Sequence, residues 1–265
     1  MVEKPGKLVL PPTIFAHNRA AVTSQYSVMP PEGILPSSLP GFQQTSVRIQ
    51  TAPPMGARFA QMLLEMEPGG GTTEARNDML QHFFFLLDGS VRLTILNDEH
   101  DLTPQGYAYV PTGHSYRIEA RGNTPSRLLW IKRPYDRIDL PVPEPIVAHR
   151  DAVERSSPHT EGRYWQYLLP PDDLAFDMHV NILGFQPGVY FPYVETHIME
   201  HGLYMLEGQG LYLLGGDWHE VQQDDFIWMG PYCPQHFYCT GWSDAAYLLY
   251  KNVNRDVDFG LRATD

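Results

Sequence analysis

The chain has 265 residues, 19 of them Lys or Arg and 31 Asp or Glu, for a formal net charge of −12. That balance excludes a polyanionic partner, because phosphate neutralisation by basic side chains supplies most nucleic-acid affinity. It leaves room for a small anionic substrate, since a metal ion or one lysine reverses the potential inside a pocket. The length exceeds the ~100–200 residues of an ordinary domain, so one large domain or two modest ones are allowed.

The N-terminus, MVEKPGKLVLPP, holds an apolar run of only three residues before Pro11-Pro12. A secretory signal needs a core of ~7–15 residues, and a membrane span needs ~20. The expectation is a cytoplasmic protein that binds no membrane. Residues 1–44 are rich in Pro, Ser, Asn and Gln and read as an arm packing across a neighbouring barrel or subunit.

Beyond the arm, apolar residues come in bursts of strand length: QMLLEME at 61–67, HFFFLLDG at 82–89, VRLTIL at 91–96, GYAYVP at 106–111 and RLLWIK at 127–132. MHVNILGF, GLYMLEGQG, LYLL, DFIWMG and AAYLLYK repeat the pattern in the second half. Gly, Pro, Asn and Asp clusters separate the bursts and helical periodicity is scarce, so the class is all-β. Many short antiparallel strands fit a sandwich or a jelly-roll barrel. We expect one barrel over residues 45–140 and a second over 161–265. Residues 141–160, with four prolines, have the composition of a linker. Cys233 and Cys239 are too few for a disulfide framework and read as small buried residues. Cys233 is close enough to Gln235 in sequence for its thiol to line a site there.

The two halves repeat at a constant offset. Pro187-Gly188 follows Pro68-Gly69 by 119 residues, as Gly208 follows Gly89 and Lys251 follows Lys132. One register therefore runs from the sixties to the one-thirties. It sets Glu195, His197, His201 and Gln235 against Arg76, Asp78, His82 and Tyr116. A repeat that keeps four good metal donors in one copy has specialised that copy and retained the other as scaffold. Arg76 reinforces this, because it places a cation where an anionic donor would stand.

Along an extended strand Glu195 and His197 project to the same side. His201 follows across a tight turn or opens the next strand, and Gln235 lies at the rim of a later strand that an antiparallel barrel can bring opposite. Two imidazoles, a carboxylate and an amide oxygen suit Mn, Fe, Ni, Co or Zn, and the oxygen share without thiolate tilts the set towards Mn(II) or Fe(II). A single carboxylate leaves such an ion positive, so the open face would attract an anion. Two other readings compete. The residues could be ordinary polar side chains on a strand, or His197 to His201, HIMEH, could be the H-x-x-E-H signature of inverzincin metalloproteases. The protease needs a helix, which Pro192, the β-branched Val194, Thr196 and Ile198, and Gly202 oppose.

Segment 187–208, PGVYFPYVETHIMEHGLYMLEG, resembles the first cupin motif, with Glu195-x-His197 in place of the usual His-x-His and His201 where a glutamate normally stands. DFIWMGPYCPQ resembles the second motif, with Gln235 at the usual histidine. More narrowly, AFDMHVNILGFQPG, YVETHIMEHGLYMLEGQGLY and YKNVNRDV are similar to the (S)-ureidoglycine aminohydrolase family of bicupins. The resemblance spans nearly the whole chain and is strongest over 175–257. It implies two tandem cupin barrels and one Mn(II) held in the C-terminal barrel by Glu195, His197, His201 and Gln235. It further implies release of ammonia from (S)-ureidoglycine to give (S)-ureidoglycolate in purine ureide (allantoin) catabolism. Tyr212, Tyr247, Lys251 and Glu195 would contact substrate, Glu195 and Lys251 would serve catalysis, and the chain would form a homo-oligomer. Another metal-dependent cupin, such as an Fe(II) dioxygenase, and a non-catalytic ligand-binding cupin are the alternatives.

The chain alone supports part of this. Alternation puts Tyr247, Leu249 and Lys251 on one face of AAYLLYK. Tyr212 stands opposite Leu93 in the register and Tyr247 opposite Leu128, so both are polar gains confined to the second copy. Lys132, the twin of Lys251, shows that a lysine at this strand end can also be structural.

Overall fold

The computed structural model describes residues 19–157, 161–252 and 255. The bursts rich in aromatic and β-branched residues form strands. In chain order these are β1 (Ala21–Val22), β2 (Tyr26–Met29), β3 (Phe42–Thr51), β4 (Ala60–Thr72), β5 (Gln81–Asp88), β6 (Val91–Ile95), β7 (Asp98–Leu102), β8 (Gly106–Val110), β9 (Tyr116–Ala120) and β10 (Ser126–Arg133). They continue with β11 (Ile146–His149), β12 (Arg163–Tyr167), β13 (His179–Phe185), β14 (His201–Glu207), β15 (Gln209–Leu214), β16 (Asp217–Gln222), β17 (Phe226–Met229), β18 (Gln235–Cys239) and β19 (Ala245–Lys251). Among the described residues no helix is long and apolar enough to cross a membrane.

The fold is all-β. A nine-stranded sheet in the order β11-β8-β5-β10-β4-β9-β6-β7, with β3 on β4, curls into the first barrel. The second barrel sets the seven-stranded sheet β1-β2-β17-β14-β19-β13-β12 against the three-stranded sheet β16-β15-β18.

The offset of 119 holds in the backbone. Lys132 pairs with His82 across β10 and β5, and Lys251 pairs with His201 across β19 and β14. Isolated bridges join Arg76 to Tyr116 and Glu195 to Gln235. The register also begins well before the sixties. Ser27 of β2 lies opposite Trp228 of β17, and Ile146 of β11 lies opposite Tyr109 of β8, so the same offset carries Ser27 onto Ile146 and Tyr109 onto Trp228. The leading strand of each repeat is thus laid on the barrel of the other. The stretch read as a linker contains one of these exchanged strands, and the arm contains its twin. Residues 1–18 of the arm lie outside the described residues.

Three clusters of buried side chains explain the packing. Leu64, Phe84, Leu86, Leu128 and Trp130 fill the first barrel, while Leu183, Phe185, Leu203, Met205 and Phe237 belong to the second. The opposite faces of the same strands meet between the barrels, where Phe83, Phe85, Leu129 and Ile131 pack with Val180, Ile182, Leu248 and Tyr250. Strands buried on both faces need unbroken apolar runs rather than alternation, which accounts for FFFLL and LLWI. Gly202 permits the barrels to approach, since a Cβ there would lie 2.6 Å from the Phe59 ring of the first barrel. Next to it the buried Glu200 accepts hydrogen bonds from Trp228 Nε1 at 2.8 Å and from the Arg58 amide at 3.0 Å. This carboxylate therefore ties the two barrels together.

Candidate metal centre

The segment between β13 and β14 departs from the expected strand. Its ladder pairing with the sheet is reduced to two isolated bridges, Tyr190 to Tyr238 and Glu195 to Gln235. Pro187 and Pro192 supply no N–H for a ladder, so the contacts reduce to a few bonds. Phe191 N donates to Phe237 O at 3.1 Å, and Glu195 and Gln235 exchange backbone bonds of 2.9 Å in each direction. Tyr232 N anchors the His197 carbonyl at 2.7 Å. His201 opens β14 and Gln235 opens β18.

All seven residues singled out in the second half, Glu195, His197, His201, Tyr212, Gln235, Tyr247 and Lys251, line one cavity of about 90 Å³, with Trp165, Leu183, Phe191 and Leu249. His201 Nε2 lies 3.2 Å from His197 Nε2, and the Gln235 amide nitrogen lies 2.9 Å from the latter. Tyr212 donates its hydroxyl to Gln235 Oε1 at 3.4 Å. Burial, aided by the Lys251 charge, holds both imidazoles below their ordinary range, His201 well below it. Burial also lowers Lys251, against the pull of Glu195, and raises both phenols, which therefore stay protonated.

Two uncharged imidazoles can share an N–H···N bond between facing Nε2 atoms, and with the proton on Nδ1 of each ring both Nε2 lone pairs are good ligands for one ion. Two nitrogens bound at about 2.0–2.1 Å to one divalent ion would sit about 3 Å apart, close to the separation seen. Rotating the Gln235 amide by half a turn exchanges its oxygen and nitrogen without moving the side chain. Its oxygen would then join the imidazoles, and its NH2 would face Tyr212. Among the described residues no three His, Cys, Asp or Glu side chains form a ready cage. The assembled nucleus is accordingly two imidazoles and an amide, with the Glu195 carboxylate on the same cavity wall. The donor set fits a divalent ion.

The matching place in the first barrel satisfies itself. Trp130 Nε1 donates to His82 Nδ1 at 3.1 Å, and His82 Nε2 meets Asp78 at 3.0 Å. Lys132 stands 3.8 Å from the other Asp78 oxygen and 4.5 Å from the Trp130 ring centre. Both imidazole nitrogens are committed, and Trp130 occupies the space that Leu249 leaves open in the second barrel. His82 is therefore no free ligand, in keeping with a scaffold role.

Other expectations fare differently. Glu200 of HIMEH faces the inter-barrel contact, and residues 197–200 are not helical, which removes the metalloprotease reading. Cys233 is buried in the apolar cluster of the second barrel, its thiol 3.6 Å from the Pro234 carbonyl. It does not line the cavity. Trp165 and Phe191 escaped notice, and Leu249 was placed only on the face of Lys251, although the register offers a signal for all three. Their counterparts Ser46, Thr72 and Trp130 differ in size or polarity in every case. A wider surface cleft of about 350 Å³, lined by Arg19, Glu220 and Gln222 among others, lies apart from these donors.

Known proteins agree with this architecture. The cupin-domain family model matches residues 62–132, which belong to the barrel without the donor set. The (S)-ureidoglycine aminohydrolase of Escherichia coli (strain K12) is 32% identical over 246 residues, covering 91% of this chain and 94% of that protein. The enzyme of the same name from Arabidopsis thaliana is 30% identical over 240 residues, 90% of this chain and 79% of that protein. The crystal structure of protein Ylba from E. coli superposes with a TM-score of 0.83 at 29% identity, covering 92% of this chain and 98% of that one. Sharing this sequence and this two-barrel fold along almost its entire length, the chain belongs to the (S)-ureidoglycine aminohydrolase family of cupin proteins and is a hydrolase acting on a C–N bond.

Proposed function

We propose that the second barrel holds one Mn(II) ion on Glu195, His197, His201 and Gln235 and hydrolyses (S)-ureidoglycine to (S)-ureidoglycolate and ammonia, within cytoplasmic allantoin catabolism. The observation that carries this reading is the convergence of two uncharged imidazoles, an amide and a buried ammonium on one cavity, in only one of two repeats. The relatives' shared name supports the substrate.

When bound, the divalent ion supplies Lewis acidity for a carbon that carries amine, ureide and carboxylate, and a template that fixes one enantiomer. The chain's own residues supply the rest. The Lys251 ammonium places positive charge beside the carboxylate, and its lowered pKa eases transfer of a proton to the departing amine. The Tyr212 and Tyr247 phenols, kept protonated by burial, donate hydrogen bonds. Leu183, Phe191 and Leu249 keep that wall dry, which strengthens each polar contact. The C–N bond breaks, the amine leaves as ammonia with the proton from Lys251, and water supplies the oxygen that replaces it and the proton that restores Lys251.

Self-association is supported by Trp218, Tyr190 and Tyr238, exposed by 52%, 52% and 37% on the outer side of the three-stranded sheet. The register sets Trp218 and Tyr238 against Glu99 and Glu119 in the first barrel. Contiguous exposed aromatic surface of this kind marks interaction sites.

The test is ammonia release from freshly prepared ureidoglycine, with the chirality of the product as readout because the substrate also decays unaided. A Mn(II)-dependent excess of (S)-ureidoglycolate, equal with and without oxygen, is expected. Racemic product at the uncatalysed rate would overturn the assignment, and a need for oxygen would point to the dioxygenase.

A further inference from the structure

Arg163 opens β12 at the edge of the second barrel, opposite Phe185 of β13. It shares a strand face with Trp165. Tyr164, between them, turns towards the inter-barrel cluster, while Trp165 packs against the cluster of the second barrel. The Arg163 guanidinium carbon lies 4.4 Å from the Trp165 ring centre and 4.9 Å from that of Phe191, and both rings line the cavity. Its electrostatic neighbours include Tyr247 and Glu195, which also line it.

Only 4% of Arg163 is exposed, yet among the described residues its Nε and Nη1 have no hydrogen-bond partner. Buried charged donors left unmet are costly, so their persistence calls for a partner that the described residues do not supply. The guanidinium lies against two rings, and its planar fork matches a carboxylate. The arrangement is confined to one repeat. The register replaces Arg163, Trp165, Phe191 and Tyr247 with Gln44, Ser46, Thr72 and Leu128.

We infer that Arg163 is a substrate-recognition residue, its guanidinium taking the carboxylate of an anionic substrate beside the Trp165 and Phe191 wall. This rests on reading the cavity as the active site. Lys251 then adds charge on the side of the departing amine, which shares its carbon with the carboxylate, and Arg163 sets the preference for an acid over its neutral amide.

The test uses the Mn(II)-loaded full chain and two small probes, oxamate and its uncharged counterpart oxamide, with binding followed by calorimetry. Wild type should prefer oxamate. Arg163→Met should weaken oxamate binding by about tenfold or more, the worth of a lost charged hydrogen bond. Oxamide binding, metal content and Tm should hold. Arg163→Lys should recover only part of the preference, because an ammonium lacks the fork. An unchanged oxamate-to-oxamide ratio in Arg163→Met would reduce Arg163 to a stacked structural residue, as would equal loss of both probes. Should the methionine variant not fold, a wild-type ratio in Arg163→Lys overturns the proposal. Turnover of ureidoglycine is scored separately. A wild-type chain that fails to turn it over, yet shows Arg163-dependent oxamate binding, has lost its substrate assignment and kept this one.

Discussion

Replacing Gln235 with Ala separates a metal centre from a chance gathering of polar side chains. The amide lies 2.9 Å from His197 Nε2 and 3.4 Å from the Tyr212 hydroxyl, so its removal takes one of the four proposed donors and also frees the His197 ring. Loss of a mere outer partner costs about 10–100-fold in metal affinity, which sets the least effect expected, about 1.4–2.7 kcal/mol. Without metal the fold should lose only the contact to His197 and the longer one to Tyr212. The extra stability that Mn(II) confers should fall by the same 1.4–2.7 kcal/mol or so at a fixed saturating concentration. Melting with and without Mn(II), metal content by mass spectrometry and turnover should therefore change together. Tyr116→Gln is the counterpart experiment, installing the matching amide in the first barrel. It should bind no ion, because Asp78 and Trp130 engage both nitrogens of His82. A Gln235→Ala chain with full metal content and wild-type turnover, or metal uptake by Tyr116→Gln, would refute the reasoning.

Leu249→Trp should fill the second barrel's cavity as Trp130 fills the first and bring turnover to background, for an overpacking cost of about 1–3 kcal/mol; undiminished turnover would contradict the cavity assignment. Glu200→Ala leaves Trp228 Nε1 and the Arg58 amide unmet and should cost about 2–6 kcal/mol in denaturant titrations at about 1–3 kcal/mol per buried donor. Glu200→Gln retains an acceptor and should cost clearly less, so equal losses would be inconsistent with the tie between barrels. Burial, with the nearby Lys251 charge and against Asp172, lowers His179 from 6.5 to about 4, so folding favours its neutral form. That stability is full above pH 6.5 and is lost as pH falls from 6.5 towards 4, by at most about 3 kcal/mol. His179→Gln should flatten the acid decline of Tm over this window, and an unaltered decline would rule His179 out as its source.

Much of the site was legible because the chain carries its own control. The offset of 119 showed which donors, and which phenols, occur in one repeat only, and the backbone obeys it down to the bridge between Glu195 and Gln235. The strand exchange was not legible. Pairing of Ser27 with Trp228 is set by burial in the assembled barrel and leaves no local pattern, so the proline-rich stretch around β11 looked like a tether. Residues 190–200 looked like strand because alternation ignores the N–H groups that Pro187 and Pro192 lack. Arg163 was missed because a lone arginine on a strand reads as a solvated side chain. Only the three-dimensional structure reveals that it is buried with donors to spare.

The crossing of β2 onto β17 and of β11 onto β8 bears on how two unlike barrels can coexist. Two separate copies trading their leading strands would form a symmetric dimer, in which any change at one centre would necessarily appear at the other. Joining the copies in one chain keeps both exchanged pairings while making them intramolecular and independent of dilution. Covalent linkage thereby breaks the symmetry. One barrel can close its interior around His82, Asp78 and Trp130 and serve as the permanent partner whose strand completes the other, which alone keeps its cavity open.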